Sequence, residues 1–357
     1  MIKVIAEAGS NHNGEVKKAI ELVKIAADAG AHTVKFQFIY PEELYLKFDK
    51  TTNGKVSKVF QKRASEQIDE GGWIEVWEEA QRSKIEVTSS VFGEKSISLL
   101  KKLGSKVCKI ASCDANNLVL IEQCLDQFEA IIVSTGMCTL SEIQRLSELI
   151  YEKNAENRVQ LLHCVSLYPC ENAESSLGFI QTIKQMTGLE VGFSDHTLSY
   201  AAACTALGLG CRLFEKHFTL SKELPGFDHA HALEAHELLE YNKILCDLFL
   251  SVNQDYRKVG IQQRFDDQTA IRARRGVYAA KHIKAGELIT LENSKLVRPQ
   301  TSLSASEYSD VLGTVANVDI SLEEPISLDK LAVKGDSLEE QANLFWQNEM
   351  KDKGIGS

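Results

Sequence analysis

The first 217 residues of the chain alternate eight short β-rich segments with stretches whose apolar residues recur at helical spacing. The predicted strands are Lys3–Ala8, His32–Phe38, Ile85–Ser89, Lys106–Ala111, Ala130–Ser134, Val159–Cys164, Glu190–Ser194 and Arg212–His217. Strands that are separated by helices are joined by right-handed crossovers and therefore run parallel. Eight such units favour a closed (β/α)8 TIM barrel, and an open doubly wound sheet is the alternative.

Helical patterns occupy the connections between these strands. Apolar periodicity predicts helices over Val16–Ala29, Ser141–Lys153 and Tyr200–Leu209. The stretch Ile39–Lys84 is too long for a simple β–α connection. We therefore expect it to cover one rim of the barrel and to supply a helix around Trp73–Ser83.

The pattern of alternating strands and helices ends after the predicted barrel. We expect the barrel to occupy residues 1–252, and we interpret the polar segment 253–272 as a linker. Residues 273–333 carry short extended runs punctuated by turns, which is typical of a small, mostly β domain. Residues 334–357 form a C-terminal tail with an amphipathic pattern.

Charge and composition exclude several classes of function. The 357 residues carry a formal net charge of -10, which opposes non-specific binding to nucleic acid or to an anionic membrane. No uncharged apolar run approaches the roughly 20 residues that a membrane span needs, and Glu7 interrupts the N-terminus before a signal-peptide core forms. We therefore expect a cytoplasmic protein. The nine cysteines include no C-x-x-C pair, so we interpret them as reduced packing residues.

Polar residues cluster at the carboxyl ends of the predicted strands, where a (β/α)8 barrel places its reacting groups. They are Glu7, Asn11 and His12; Lys35 and Gln37; Ser89 and Ser90; Lys109, Ser112 and Asp114; Ser134 and Thr135; His163 and Tyr168; Ser194, Asp195 and His196; and Glu215, Lys216 and His217. Their repetition at equivalent places predicts one active site at this end of the barrel.

Two lysines, Lys35 and Lys109, stand in strands that are otherwise largely apolar. A buried lysine needs an anionic partner. One interpretation pairs each lysine with a barrel carboxylate such as Glu7 or Glu215. The other combines the two lysines with nearby serine hydroxyls into a receptor for a phosphate or carboxylate group. The sequence leaves both interpretations open.

Two histidines, His196 and His217, follow the seventh and eighth predicted strands, which are neighbours in a closed barrel. Imidazole nitrogens with nearby carboxylates suit Mn²⁺, Zn²⁺ or Fe²⁺, whereas oxygen ligands favour Mg²⁺. The alternative is that hydrogen bonds satisfy both histidines. His229, His231 and His236 form a second histidine cluster on the following loop.

Seven short motifs resemble, in the same order, those of the sialic acid (nonulosonic acid) synthases. They are Ile5–Gly14 (IAEAGSNHNG), Val34–Gln37 (VKFQ), Lys109–Ser112 (KIAS), Ser134–Met137 (STGM), Leu162–Cys164 (LHC) with Tyr168-Pro169, Gly192–Thr197 (GFSDHT) and Glu215–Thr219 (EKHFT). Residues 273–333 resemble the antifreeze-like (SAF) domain that follows the barrel in this family.

The resemblance implies an enzyme that condenses phosphoenolpyruvate (PEP) with the open-chain aldehyde of an N-acylated hexosamine similar to N-acetylmannosamine, releasing inorganic phosphate. Carbon 3 of PEP attacks the aldehyde, so a divalent cation is useful as a Lewis acid. The resemblance places this cation on His196 and His217, with Mn²⁺ expected first and Mg²⁺ or Co²⁺ as alternatives. It also implies a domain-swapped homodimer, in which Arg298 of the SAF domain reaches the sugar in the partner's barrel.

The resemblance assigns further roles position by position. The residues that would hold the phosphate and carboxylate of PEP are Lys35, Lys109, Ser90, Ser112, Ser134 and Ser194. Those that would contact the sugar are Gln37, Tyr168, Glu7 and Asp228. The acids expected to handle protons are Asp114 and Glu215.

The chain departs from the family pattern at several of these places. Val91 stands where the family commonly has proline, Asp114 where glutamate is frequent, and Ser166 where an asparagine often assists phosphate binding. The segment Arg298–Ser302 (RPQTS) lacks both glycines of the family's Arg-Pro-Gly-x-Gly element. The segment Asp228–Leu233 (DHAHAL) also differs, in a region that contacts the sugar.

Two other functions compete with this interpretation. The first is a related PEP-dependent synthase that makes a 3-deoxy sugar acid from a phosphorylated aldose, and the SAF-like segment argues against it. The second is a non-catalytic protein that binds carbohydrate. A decayed barrel predicts loss of the interior lysines and paired histidines, yet Lys35, Lys109, His196 and His217 are all present.

Overall fold

Eight parallel strands close into a barrel in the N-terminal part of the chain. The strands are β1 (Lys3–Gly9), β2 (Thr33–Gln37), β3 (Glu86–Ser90), β4 (Val107–Ile110), β5 (Ala130–Ser134), β6 (Val159–His163), β7 (Val191–Asp195) and β8 (Leu213–His217). Each strand pairs with the next, and β8 pairs with β1. The closed order confirms the predicted (β/α)8 barrel over the open sheet.

The computed structural model describes residues 2–48, 54–252 and 267–332. The chain divides into two compact units, Met1–Asn253 and Gln254–Ser357. Most of the predicted linker and the whole predicted tail, 334–357, lie outside the described residues.

Helices follow the strands and form the outer layer of the first unit. They are α1 (Val16–Asp28), α2 (Pro41–Leu44), α3 (Lys58–Ser65), α4 (Glu70–Arg82), α5 (Glu94–Lys102), α6 (Leu118–Gln127), α7 (Leu140–Glu152), α8 (Phe179–Thr187), α9 (Tyr200–Gly208) and α10 (Ala235–Val252). The long β2–β3 connection contains α2 and α3 in addition to α4, as its length led us to expect. Apolar residues at helical spacing, such as Ala19, Leu22 and Val23 of α1, are buried against the barrel.

An apolar layer fills the barrel interior below the polar residues. Its buried members are Ile5, Ile132, Leu162 and Leu213. Side chains of a strand alternate between the interior and the helix layer, so the interior residue that follows two positions later in β1, β5 and β8 is polar. These residues are Glu7, Ser134 and Glu215. The polar groups therefore form a second layer at the carboxyl end of the barrel, above an apolar floor.

The second unit has a hydrophobic core of its own. It contains α11 (Asp267–Ala273), α12 (Tyr308–Val311) and an antiparallel pair of strands, β9 (Gly276–Ala279) and β10 (Ser294–Val297). Isolated bridges join further extended segments, and the buried core is Val277, Ala279, Ile283, Ile289, Leu303, Val311, Ala316, Ile320, Ile326 and Leu331.

The end of the segment that we interpreted as a linker contains a helix. This helix, α11, begins at Asp267. Gln, Ala and Arg residues favour helix formation, and the polarity of this stretch concealed that preference.

The nine cysteines are all free thiols. Five of them, Cys108, Cys124, Cys164, Cys170 and Cys211, are buried as packing residues, whereas Cys113 and Cys246 are exposed. Among the described residues, no helix has both the length and the apolar character needed to cross a membrane.

Candidate active site

Two lysines and two glutamates form a buried ion-pair cluster at the carboxyl end of the barrel. Lys35 Nζ lies 2.7 Å from Glu7 Oε2 and 3.5 Å from Glu215 Oε2. Lys109 Nζ lies 4.0 Å from Glu215 Oε1. All four residues are at most 5% exposed. The lysines are therefore ion-paired with barrel carboxylates, as in the first of the two interpretations. Both lysines lie side by side at the same end of the barrel.

Serine hydroxyls solvate the two ammonium groups. Lys35 donates a hydrogen bond to Ser90 Oγ at 3.0 Å. Lys109 donates to Ser134 Oγ at 2.6 Å and to the carbonyl oxygen of Ile110 at 2.9 Å. These acceptors are neutral, so the charge of each lysine is balanced by the glutamates of the cluster.

Two further predicted serines lie around the cluster. Ser194 donates a hydrogen bond to Glu215 Oε1 at 3.0 Å. Ser112 contacts the Cys164 thiol at 3.0 Å and accepts a hydrogen bond from the backbone N–H of Gly136 at 3.2 Å. A Cβ on Gly136 would lie 2.4 Å from Cys164 Sγ, so only glycine allows this close approach.

The two glutamates have opposite pKa shifts. Burial raises the pKa of Glu7 to about 7, because the attraction of Lys35 only partly offsets the loss of water. Burial alone would also raise the pKa of Glu215, but Lys109 and Lys35 lower it to about 2. Glu215 is therefore a permanent anion at neutral pH, whereas Glu7 exchanges a proton there. Carboxyl pairs with separated pKa values are typical of acid–base sites.

The lysines respond differently to the same carboxylates. Burial favours the neutral amine, but Glu215 and Glu7 overcome this effect and raise the pKa of Lys35. Burial lowers the pKa of Lys109, and Glu215 opposes that change incompletely.

Three polar groups converge above Gly9 at the end of β1. Gly9 has a φ of +56°, and a Cβ there would lie 3.3 Å from Gln37 Nε2, 3.4 Å from Asp228 Oδ2 and 3.4 Å from Glu7 Oε1. Gln37 Nε2 also donates a hydrogen bond to Glu7 Oε1 at 2.8 Å. The glycine thus leaves room for an amide and two carboxyl groups that together suit a polyhydroxylated ligand.

A group of metal-binding side chains adjoins this polar set. One ligand atom each from His217, Asp228 and His231 lies within 4.8 Å of the other two. The ring centroid of His196 lies 5.6 Å from that of His217. His196 Nδ1 lies 2.7 Å from the carbonyl oxygen of Val165 and donates to it, which leaves a lone pair on Nε2.

The histidines are held in their neutral form, which is the form that binds metals. Burial lowers the pKa of His196 to about 3, with repulsion from His217 adding to the effect. Burial also lowers the pKa of His217 and of His231. Within the described part of the chain, His217 Nδ1 and His231 Nε2 are buried without a hydrogen-bond partner. This set of imidazoles with a carboxylate fits a divalent transition-metal ion.

Tyr168 covers the histidines from the solvent side. Its ring centroid lies 4.2 Å from that of His196 and 5.3 Å from that of His231. The residue is 49% exposed, so one face of the ring is available to a ligand at the mouth of the barrel.

Of the remaining predicted site residues, Asp114 lies apart from these groups and Arg298 belongs to the second unit. Asp114 ends a short 3-10 helix, Ser112–Asp114, and is half-buried, with Oδ2 accepting a hydrogen bond from the Cys113 thiol. In the described ranges, no ion pair joins Asp114 to the lysines. Arg298 is exposed and follows β10 in the second unit.

Sequence reasoning gave no role to His231 or Arg63. His231 ends a 3-10 helix, His229–His231, and its signal was the Asp228-x-x-His231 spacing, which puts both side chains on one side of a helical turn. Arg63 of α3 is buried, donates to Ser10 Oγ at 2.8 Å and borders a cavity of about 30 Å³. A single arginine in a polar insertion gives no sequence signal of burial.

Two family models match the sequence. Residues 22–249 match the NeuB family, and residues 274–332 match the SAF domain. The chain belongs to the NeuB family. This finding confirms the resemblance that the motifs carried and places the predicted β domain in the SAF class.

Curated relatives of this NeuB family protein include synthases of several sugar acids. It is 32% identical to the N,N'-diacetyllegionaminic acid synthase of Legionella pneumophila, with 89% of this chain and 91% of the relative covered. It is also 32% identical to a pseudaminic acid synthase of Campylobacter jejuni, with 89% and 93% covered.

A solved structure extends the similarity to three dimensions. The N-acetylneuraminic acid synthetase of Leptospira borgpetersenii serovar Hardjo-bovis, in complex with citrate, is 28% identical to this NeuB family chain. The superposition has a TM-score of 0.65 and covers 75% of this chain and 92% of the other.

Proposed function

We propose that this protein condenses PEP with an N-acylated hexosamine, giving a nonulosonic acid and inorganic phosphate. The observation that carries the proposal is the pairing of Lys35 and Lys109 with serine hydroxyls inside a barrel of a protein whose net charge is -10. The names of its relatives, synthases of legionaminic and pseudaminic acids, support the same reaction class.

PEP would bind over the lysine pair. Its phosphate and carboxylate groups are the anions that Lys35 and Lys109 favour, and charge-assisted hydrogen bonds to them are stronger than those to neutral hydroxyls. The hydroxyls that would complete this receptor are those of Ser90, Ser112, Ser134 and Ser194.

The sugar would bind over Gly9, where the side chains have both donors and acceptors for hydroxyl and N-acyl groups. The residues proposed to contact it are Gln37, Tyr168, Glu7 and Asp228. Glu7 lies in both sets, because Oε2 pairs with Lys35 while Oε1 accepts from Gln37. It is therefore positioned between the two substrates.

The chemistry needs a proton and a stable phosphate leaving group. Carbon 3 of PEP forms a bond to the aldehyde carbon, and the aldehyde oxygen takes up a proton that Glu7 is placed to donate. Water then adds to carbon 2, and the resulting tetrahedral intermediate breaks its carbon–oxygen bond to release phosphate. Glu215 keeps the lysines oriented throughout, and Asp114 is the second acid proposed for proton handling.

A divalent cation would activate the aldehyde. When bound, it supplies a Lewis acid that stabilises negative charge on the aldehyde oxygen. We assign it to His196 and His217, whose neutral imidazoles fit such an ion. Mn²⁺ is the proposed metal, with Mg²⁺ or Co²⁺ as alternatives.

The assembly proposed for this chain is a homodimer in the cytoplasm. The SAF domain has its own core, and family resemblance suggests that its Arg298 completes the sugar site of the partner's barrel. An exchanged domain of this kind requires a two-fold arrangement in which both sites are equivalent.

Phosphate release from PEP tests the function directly. The purified protein would be assayed with Mn²⁺ across N-acylated hexosamines, including 6-phosphate and diacetamido forms, and with phosphorylated aldoses lacking an N-acyl group. We expect release that depends on an N-acylated hexosamine, with a nine-carbon acid as product by mass spectrometry. Turnover with the phosphorylated aldoses alone would assign the protein to the competing 3-deoxy sugar acid synthases.

A further inference from the structure

The side chains of Asp228 and His231 face His217 across a small gap. Asp228 Oδ1 lies 3.8 Å from His231 Nε2, and one ligand atom from each of the three residues lies within 4.8 Å of the other two. Donors that share one transition-metal ion at about 2.1 Å stand roughly 3 to 3.5 Å apart. Shortening the separations of these atoms by up to about 1.3 to 1.8 Å would therefore bring all three onto one ion.

Two of these donors are unsatisfied in the described structure. His231 Nε2 and His217 Nδ1 are buried with no hydrogen-bond partner among the described residues, and each histidine is 8% exposed. A buried polar atom without a protein partner destabilises a fold unless a bound water molecule or ion satisfies it. The orphaned nitrogen of His231 is thus an observation independent of the spacing.

The backbone around these residues is held in place. After β8, the N–H of Leu233 donates to the carbonyl of His217 at 2.9 Å, and the N–H of Thr219 donates to the carbonyl of Leu233 at 2.8 Å. His229 Nδ1 contacts Thr219 Oγ1 at 2.6 Å, which fixes the start of the 3-10 helix that ends at His231. These hydrogen bonds therefore hold the backbone that carries His217 and His231.

We propose that His231 and Asp228 are protein ligands of the divalent cation, in addition to His217 and beside His196. This inference rests on the proposed function for the presence of the cation, and it extends the ligand set from two imidazoles to three imidazoles and one carboxylate. Such a nitrogen-rich set favours a transition-metal ion over Mg²⁺. It also gives Asp228 a role at the metal in place of a contact with the sugar alone.

Cobalt binding tests the assignment without reference to turnover. Metal-free protein would be titrated with Co²⁺ while its visible absorption is recorded. We expect His231→Ala to weaken Co²⁺ binding at least tenfold and to change the absorption bands, because one nitrogen ligand is lost. The matched control is His236→Ala, an exposed histidine at the start of α10, which should bind like the wild type.

A second measurement covers failure of the variant to fold. X-ray absorption of the wild-type protein loaded with one equivalent of Co²⁺ counts imidazole ligands, and the expected number is three. His231→Asn, which keeps a polar side chain, provides a second variant if circular dichroism shows that His231→Ala is unfolded.

The outcomes separate this inference from the proposed function. Wild-type affinity and spectrum in folded His231→Ala or His231→Asn, or two imidazoles in the wild type, would overturn the role of His231 while PEP-dependent synthesis could still stand. Three imidazoles together with no phosphate release from PEP would support the ligand set and refute the proposed reaction. Absence of Co²⁺ binding by the wild type would overturn the ligand set.

Discussion

Lys35 and Lys109 are buried cations whose charges are matched by Glu7 and Glu215 in the absence of substrate. Replacing either lysine with methionine keeps most of the apolar stem and removes the charge. We expect PEP affinity or turnover to fall more than tenfold in each variant while the fold persists, as measured by steady-state phosphate release and thermal unfolding. Lys106→Met, which changes an exposed lysine just before β4, is the control and should be unaffected. Wild-type PEP kinetics in both buried variants would restrict these lysines to internal ion pairing.

Glu7 should impose a pH dependence on catalysis. Its pKa is raised to about 7 by burial, so the protonated acid predominates below that pH and the carboxylate above it. If Glu7 donates the proton, kcat/KM falls about tenfold for each pH unit above 7. In Glu7→Gln we expect kcat to drop about 100-fold or more and this alkaline limb to disappear. A limb that persists unchanged in the variant would assign the titration to another group.

At the residue scale, the sequence predicts correctly which strand side chains face the barrel interior, because side chains alternate along a strand. The parity of β2, β4 and β8 places Lys35, Lys109 and Glu215 in the interior, and the sequence shows that parity directly. The actual partner of each lysine depends on cross-strand register and rotamer, so the sequence left two interpretations. The sequence placed His231 in a second histidine cluster but did not place it beside His217, because that approach depends on how the loop after β8 folds back, which no periodicity reports.

At the scale of elements, the charged side chains of β8 alternate between the barrel interior and the helix layer. Glu215 and His217 belong to the site, whereas Lys216 points to the helix layer, where Nζ lies 3.1 Å from Asp195 Oδ2 and also donates to the carbonyl of Thr197. Tyr241 of α10 donates to the same carboxylate oxygen at 3.3 Å. This ion pair therefore connects β7, β8 and α10 outside the barrel interior.

Lys216→Met should consequently affect stability and not substrate binding. Removing one partner of a buried ion pair leaves an uncompensated charge on Asp195 and costs about 3 to 5 kcal/mol. Denaturant unfolding should show this loss, with the KM for PEP unchanged. The double variant Lys216→Met, Asp195→Asn should be less destabilised than the sum of the single variants. An increase in the KM for PEP in folded Lys216→Met would contradict the assignment.

The elements themselves differ in how far the sequence determines them. All eight strand ends lie within one residue of the prediction, because alternating or continuous apolar runs bounded by turns give a strong signal. The helix α11 and the 3-10 helix His229–His231 were not predicted. Both are shorter than two turns of an ordinary helix, so they leave no amphipathic repeat, and tertiary contacts decide their conformation.

At the scale of the whole molecule, the proposed exchange of Arg298 between subunits predicts that this residue affects the sugar and not PEP. Arg298→Ala should raise the KM for the sugar at least tenfold and leave the KM for PEP unchanged, because the lysine pair lies on the barrel strands. Lys281→Ala, at an exposed position of the same domain, is the matched control. Equal changes in both KM values would place the effect of Arg298 elsewhere.

Mixed dimers then decide which subunit provides the arginine. An Arg298→Ala chain has an intact barrel, and a Lys109→Met chain has an intact Arg298. If the domain acts on its partner, each mixed dimer contains one complete site and should recover about half of the wild-type activity. If Arg298 acts within its own chain, neither site is complete and no recovery is expected.

The buried cluster has an electrical consequence for ligand binding. Above the pKa of Glu7, two lysines and two glutamates sum to no net charge, so PEP brings uncompensated negative charge into a protein whose net charge is already -10. As the lysines turn towards the ligand, Glu7 loses part of their attraction, and its pKa, about 7 in the free protein, rises further. Binding near pH 8 should therefore absorb up to about one proton from the buffer. Calorimetric titrations in buffers of different ionisation enthalpy would measure this uptake, which should vanish in Glu7→Gln; a wild-type heat independent of buffer would contradict it. Binding of PEP would then protonate Glu7 from solvent. The first substrate would thereby prepare the acid that donates a proton to the aldehyde oxygen of the second.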